Sequence, residues 1–333
     1  MKINLITNPF LKNSVGKMPN DSKKKTFSIK KYFPIILLLL LSLIFSILSP
    51  RFLKFGNLTI ILQQLVVLLV AAFGMTFVVI GGSIDLSAGS IVAISALATA
   101  TFSKSMGVAA IIPAIIVGLI CGIINGLIFS KGKVPSFIVT MGAMVAFRGV
   151  VLILTKGSPV QITDASFLAV YTGRTAGIPH SLLITLVIAV VVYMIFNNFS
   201  FGREIRAIGG GERVAILAGI KVDRAKIMVF ALAGALCGLA GLLQSARVMA
   251  ATPTMGEGME MDIIAAVVVG GTPLTGGIGS IQGTVLGALI ITVLSNGMNM
   301  IGLSPYVQYI AKGVVLVLAV FATIDRSKIG IIK

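Results

Sequence analysis

The sequence predicts an all-α integral membrane protein with about ten transmembrane helices, some broken or half-spanning, and a short cytoplasmic helix between two of the spans. Three observations predict it. Apolar residues make up 57% of the chain and charged residues 11%, with a mean hydropathy of +1.07; a soluble domain carries roughly 25% charged residues. Ten apolar segments can be drawn within 333 residues, most of them close to the ~20 residues that cross a bilayer as helix. Lys and Arg gather between alternate segments, as the positive-inside rule expects.

Residues 1–32 come first, with eight lysines and one aspartate, a charge of +7. This stretch is polar and aperiodic, and reads as a disordered basic cytoplasmic tail near anionic lipid. The transmembrane body is expected over 33–326, with a second cytoplasmic tail at 327–333. The first apolar run, Phe33–Ser49, is expected to be a retained helix rather than a signal peptide: the basic region before it is too long and no A-x-A site follows. Leu58–Ile80, Ser87–Ser105, Val108–Ser130 and Val134–Thr155 come next. A polar loop, Lys156–His180, separates them from Ser181–Phe199. A charged loop, Ser200–Lys226, precedes Ile227–Ala246. The eighth segment, Met261–Gly270, covers only half of a ~30 Å hydrocarbon core at 1.5 Å per residue. Ser280–Met300 and Tyr306–Ile324 complete the set. An alternating path from an inside tail places Lys131, Lys133, the six Lys/Arg of Ser200–Lys226 and the C-terminus inside. Arg51, Lys54, Lys156 and Arg174 are left outside, so both termini are expected in the cytoplasm of a multi-pass protein.

Glycine spacing predicts where helices touch. Gly118, Gly122 and Gly126 recur every four residues, as do Gly234 with Gly238 and Gly283 with Gly287; small residues on one face let backbones approach closely in lipid. An internal echo joins VVIGGSIDLSAGSIV (78–92) to VVVGGTPLTGGIGSIQG (267–283). It is either chance likeness in Gly/Ser-rich sequence or two corresponding broken-helix hairpins.

The chemistry is sparse. No G-x-x-x-x-G-K-[ST] loop, hydrolase elbow or His-rich helix is present. Cys121, Cys237 and the single His180 make no metal set, and the thiols read as packing residues. An enzyme is therefore not expected. Asp85 is the exception to an apolar setting. A carboxylate in hydrocarbon costs at least ~2.5–3.5 kcal/mol, but Gly81, Gly82 and Gly89 allow the helix to break there. Asp85 can then cap a helix starting near Leu86–Ser87, with a substrate or gating contact, or a proton-coupling role, as the alternatives. Gly270 and Gly271 mark the corresponding break in the second hairpin. Arg148 either snorkels outward or lines a pathway; Asn125, Gln63 and Gln64 either bond between helices or face a polar path. In the charged loop, Glu212–Ala218 reads as a short helix with Val214, Leu217 and Ala218 on one face, Gly209–Gly211 before it and Gly219 ending it. It either docks into a groove on a cytoplasmic partner or lies on the bilayer surface.

Three blocks carry a resemblance. GGSIDLSAGS resembles the G-G-x-D-L-S-x-G-S signature of permease subunits of ATP-binding-cassette (ABC) importers of the ribose, xylose, arabinose and galactose group. FGREIRAIGGGERVAILAGIKVDRAKIMVFALAGALCGLAGLL and AVVVGGTPLTGGIGSIQGTVLGALIITVLSNGMNMIGLSPYVQYIAKG are similar to the cytoplasmic loop and C-terminal third of the same permeases. The likeness spans about residues 35–325; Ser83 is an extra residue relative to the usual G-G-I-D-L-S form. The resemblance implies a homodimeric or heterodimeric pore in a bacterial inner membrane, with a second permease copy or paralogue. Cytoplasmic ABC ATPases would sit below it and a periplasmic or lipoprotein sugar-binding protein above. This chain would hold no cofactor, ATP being bound by the partner subunit. Relatives also carry autoinducer-2, nucleosides and branched-chain amino acids. The ATPase-coupling residues implied are Arg203, Glu204, Arg206, Gly209, Gly210, Glu212, Arg213, Leu217 and Gly219. The helix-break or gate residues are Gly81, Gly82, Asp85, Ser87, Gly89, Gly270 and Gly271. The competing expectation is a stand-alone secondary transporter driven by a proton or sodium gradient.

Overall fold

A computed structural model describes residues 29–323, so the expected tails at 1–32 and 327–333 lie largely or wholly outside the described residues. The chain is helical almost throughout. In order it forms α1 (Ile29–Leu48), α2 (Phe55–Ile80), α3 (Ala88–Met106), α4 (Ile111–Ser130), α5 (Ser136–Thr155), α6 (Ala165–Thr172) and α7 (His180–Asn198). It continues with α8 (Ser200–Gly210), α9 (Glu212–Leu217), α10 (Val222–Val248), α11 (Met259–Val269), α12 (Ile281–Met300) and α13 (Pro305–Thr323). Strands are confined to two-residue pieces: β1 (Val160–Gln161) pairs antiparallel with β4 (Ala250–Ala251), and β2 (Arg174–Thr175) with β3 (Ile178–Pro179).

Among the described residues, six helical stretches are long and apolar enough to cross a membrane, with Ala88–Ser130 taken as one. Gly107 at φ +51° breaks that stretch, and α3 and α4 fold back and pack on each other. Phe33–Leu48 and Pro305–Phe321 supply shorter apolar lengths, and α11, with 11 residues, is half-spanning. The chain is a multi-pass membrane protein.

The centre of the bundle is α2 and α10. Every residue of α2 from Leu65 to Ile80 is buried, which suits a helix that is apolar on all sides. α10 packs against α4, α2 and α3. Its contact with α4 is made by the glycine faces expected from the spacing. A Cβ at Gly118 would overlap the carbonyl oxygen of Gly234, and one at Gly234 that of Gly118. Gly122 meets the Phe230 carbonyl and Gly238 that of Ala114, so the two helices run antiparallel. Gly283 and Gly287 lie against Gly270 and Ala266 in the same way, seating α12 on α11. Polar pairs add to the packing: Asn57 and Asn296 exchange amide hydrogen bonds of 2.9 and 3.0 Å between α2 and α12, and the Thr76 and Thr284 hydroxyls are 2.7 Å apart. The outer faces of α1, α5, α7 and α13 expose large apolar chains such as Leu43, Ile153, Val187 and Val317, the surface a bilayer covers.

Three differences from the sequence reading have physical causes. The polar loop 156–180 contains α6, started by Asp164, whose carboxylate accepts the Phe167 N–H at 2.8 Å. The charged loop 200–226, read as holding one short helix at 212–218, begins with a second, α8, which runs through Gly209 and Gly210; α8 is strongly amphipathic and packing of its buried Ile205 and Ile208 outweighs glycine's poor propensity. α10 starts at Val222, five residues before its apolar run, because Lys226 is neutralised by Glu212 at 2.8 Å and covers the Phe129 ring at 4.7 Å.

Candidate translocation gate and coupling surface

The two echoing stretches fold to the same cap. At the end of α2, Gly81 N–H bonds to Phe77 O, Gly82 N–H to Val79 O and Ser83 N–H to Val78 O, at 3.0, 2.9 and 3.0 Å. At the end of α11, Gly270 bonds to Ala266 O, Gly271 to Val268 O and Thr272 to Val267 O, at 3.1, 2.9 and 3.2 Å. Gly82 and Gly271 both take positive φ, +77° and +96°, as a left-handed helix stop requires. The extra Ser83 therefore closes the turn just as Thr272 does.

The next helices start differently. Ser280 caps α12 by accepting the Gly283 N–H at 3.0 Å. Ser87, not Asp85, stands at the N-cap of α3. Asp85 Oδ1 instead accepts the Ser87 N–H at 2.8 Å and the Ser87 hydroxyl at 2.5 Å. Asn125 Nδ2 donates to the same hydroxyl at 2.8 Å. Asp85, Ser87 and Asn125 thus form one fully enclosed chain from the break to α4, and Asn125 serves as a bond between helices. Gly89 lies against the Gly256 carbonyl in the segment before α11. Arg148 secures that segment from α5, donating to Pro253 O and Met255 O at 3.1 and 2.6 Å. Irregular backbone in a membrane needs its carbonyls satisfied by protein, and Arg148 does this.

The breaks meet at one end of the molecule. Gly277 N–H donates to Ile80 O at 2.8 Å, joining the α11–α12 linker to the end of α2. A Cβ on Gly276 would come within 2.8 Å of Gly82 Cα. The end of α8 fills the remaining side: a Cβ at Gly209 would overlap Ile80 O and come within 2.5 Å of Gly277 N. Both breaks and α8 are therefore in backbone contact. α8 is fixed on α2 and α7 by Ile205, by Phe201 stacked on Phe77 (6.0 Å), and by Arg206 over the Phe196 ring at 4.1 Å and bonded to Phe196 O at 3.0 Å.

α9 follows as a short helix with Ala215 turned inward and Val214 and Leu217 turned out, 70% and 89% exposed. Arg203, Arg213 and Gly219 are exposed around it, and Glu204 is half-buried. Gly219 at φ +81° turns the chain toward α10, while Glu212 is tied to Lys226.

Sequence reasoning missed a polar cluster. Gln64 of α2, Gln244 and Arg247 of α10, Asp262 of α11, Ser295 of α12 and Lys312 of α13 line one cavity of about 210 Å³. The sequence sets Gln64 only beside Gln63 and Asn125, and the other cavity residues lie far apart in sequence, so no local spacing signals the group.

An all-helical membrane bundle with two matched helix breaks joined to an exposed short helix defines the class of a transport permease. The chain matches the family described as branched-chain amino acid transport system / permease component over residues 57–320, and it belongs to that family. It is 44% identical over 304 residues to the ribose import permease protein RbsC of Bacillus subtilis (strain 168), covering 90% of this chain and 94% of that one. It is 40% identical over 319 residues to RbsC of Escherichia coli (strain K12), covering 91% and 99%. With the L-arabinose transport system permease protein AraH of Escherichia coli (strain K12), identity is 34% over 325 residues, covering 95% and 98%.

Proposed function

We propose that this chain is the membrane-spanning permease subunit of an ABC importer for a monosaccharide, with ribose the first substrate to test. The observation that carries the reading is likeness to ribose import permeases along at least nine-tenths of the chain. In this reading both termini are cytoplasmic in a bacterial inner membrane, and the bundle makes about ten passages when α1, α11 and α13 are included. Two such subunits, identical or paralogous, enclose the path. A separate ABC ATPase binds the ATP, which this chain does not, and a sugar-binding protein docks outside.

Coupling follows from contacts already described. The ATPase seizes the exposed Val214 and Leu217 of α9. Its closure displaces α8, and Gly209 transmits the displacement to the breaks at Gly81–Gly82 and Gly270–Gly271. Such a junction is a two-state element that a partner's binding energy can bias. The test is uptake of labelled D-ribose into liposomes holding the chain with its ATPase and binding protein. ATP-dependent accumulation is expected; equal uptake without ATP, driven by a proton or sodium gradient, overturns the reading.

A further inference from the structure

The polar cavity lined by five helices has no part in the coupling route. Its wall offers groups that nothing in the protein uses: among the described residues, the side chains of Gln64, Gln244, Arg247 and Ser295 make no intramolecular hydrogen bond or ion pair. Polar groups in a membrane bundle normally find partners in neighbouring helices, as Asn57 and Asn296 do here. Three part-buried ones, Gln64, Gln244 and Ser295, converging on one space beside the exposed Arg247 at the end of α10 are what a ligand site supplies. On the far wall, Lys312 Nζ and Asp262 Oδ2 pair at 2.7 Å, both about one-fifth exposed. At about 210 Å³ the cavity is smaller than the ~300–1,000 Å³ of drug-sized ligand sites, so it suits a small solute.

The donor set also selects the ligand chemistry. Two amides and a hydroxyl both donate and accept, matching hydroxyl groups that do the same. The one carboxylate is already paired, leaving Arg247 as the single unpaired charge.

Resting on the import reading for its ligand class, we propose that this cavity between α2, α10, α11, α12 and α13 is a binding site for a small neutral polyhydroxylated solute within one permease subunit, with Gln64, Gln244 and Ser295 hydrogen-bonding its hydroxyls. The site lies beside α11, whose flanking residues Gly258 and Gly271 take positive φ, +74° and +96°. Occupancy therefore bears on the half-helix that ends in the second break.

The experiment uses the complete transporter in liposomes. Ser295→Cys is reacted with a membrane-impermeant maleimide; the native Cys121 and Cys237 are buried and give a low background. At a D-ribose concentration three times the Kd, labelling is expected to slow about fourfold, because occupancy scales the free fraction by 1 + [L]/Kd. Tyr306→Cys, at the exposed outer end of α13, should label at an unchanged rate. Gln64→Leu with Gln244→Leu should abolish the protection and lower sugar moved per ATP. No protection of Ser295→Cys in a transporter that still imports ribose with ATP overturns the site and leaves the import reading standing. Protection by sulfate in place of ribose overturns the neutral-ligand assignment. Protection by ribose in an assembly that imports no sugar keeps the site and overturns the import reading.

Discussion

At the scale of single residues, Gly209 and Gly210 form a matched pair with opposite fates. A Cβ at Gly209 has nowhere to go between Ile80 O and Gly277 N, whereas one at Gly210 meets nothing within 4 Å. Gly209→Ala is expected to destabilise the protein by about 1–3 kcal/mol through overpacking and to lower uptake per ATP. Gly210→Ala should be neutral or stabilising by up to ~1 kcal/mol through helix propensity. Thermal unfolding of the two variants in one detergent makes the comparison, and equal loss in both would disprove the backbone junction. Asp164 supports a pH prediction. Donation from the Ser166 hydroxyl and the Phe167 N–H holds its carboxyl below the usual carboxylate range. Its cap on α6 is therefore at full strength above the unfolded value, about 3.9, and fades as pH falls through the lower folded value. Proteolysis of segment 156–180 should rise in that acid window. Asp164→Asn, which caps without titrating, should remove this pH dependence.

At the scale of elements, two contacts can be tested separately. The Asn57–Asn296 pair holds α2 to α12 in the buried interior. Asn57→Ala leaves an amide without its partner and should cost about 1 kcal/mol. The Asn57→Leu/Asn296→Leu double variant should cost less than the sum of its single changes, measured by unfolding in mixed micelles. The second element is α9. Leu217 is almost fully exposed, so Leu217→Asp changes little within this chain, but it would place a charge on the face proposed to meet the ATPase. The variant is expected to extract and unfold like the parent yet to lose the ATPase during purification. Retained co-purification with normal coupling would mean that α9 is not the docking element. These elements were legible to different degrees. The α4–α10 and α11–α12 contacts were written in four-residue glycine spacing, which in a helix means one face. α8 itself was hidden in a stretch read as charged loop, because Gly209–Gly210 signal a stop locally, and only packing against Ile80 and Gly277 shows that a helix runs through them.

At the scale of the whole molecule, hydropathy alone identified the solvent, and the apolar runs located the long helices to within a few residues. It could not orient α2, which is apolar on every side and so carries no periodic signal. The candidate site divides along the same line. The two breaks were readable because each is a contiguous Gly-Gly motif in an apolar run, and their likeness in sequence is matched by the same three cap hydrogen bonds in each. Arg148 was readable as an unusual charge but not as the holder of Pro253 and Met255, since those carbonyls lie about a hundred positions away. The polar cavity was invisible for a stronger reason. Its walls come from five helices, and each polar side chain alone looks like ordinary interhelical bonding.

Val160–Gln161 and Ala250–Ala251 are laced together by a two-rung ladder, with Ile162 N–H adding a bond to Met249 O at 2.9 Å. The segment that follows α5 is thereby fastened to the strand that feeds α11. Whatever grips the first loop also tugs the second, and the pull arrives at the entrance of the half-helix. A displacement of the first loop is thus handed by two small stitches to the chain leading into α11.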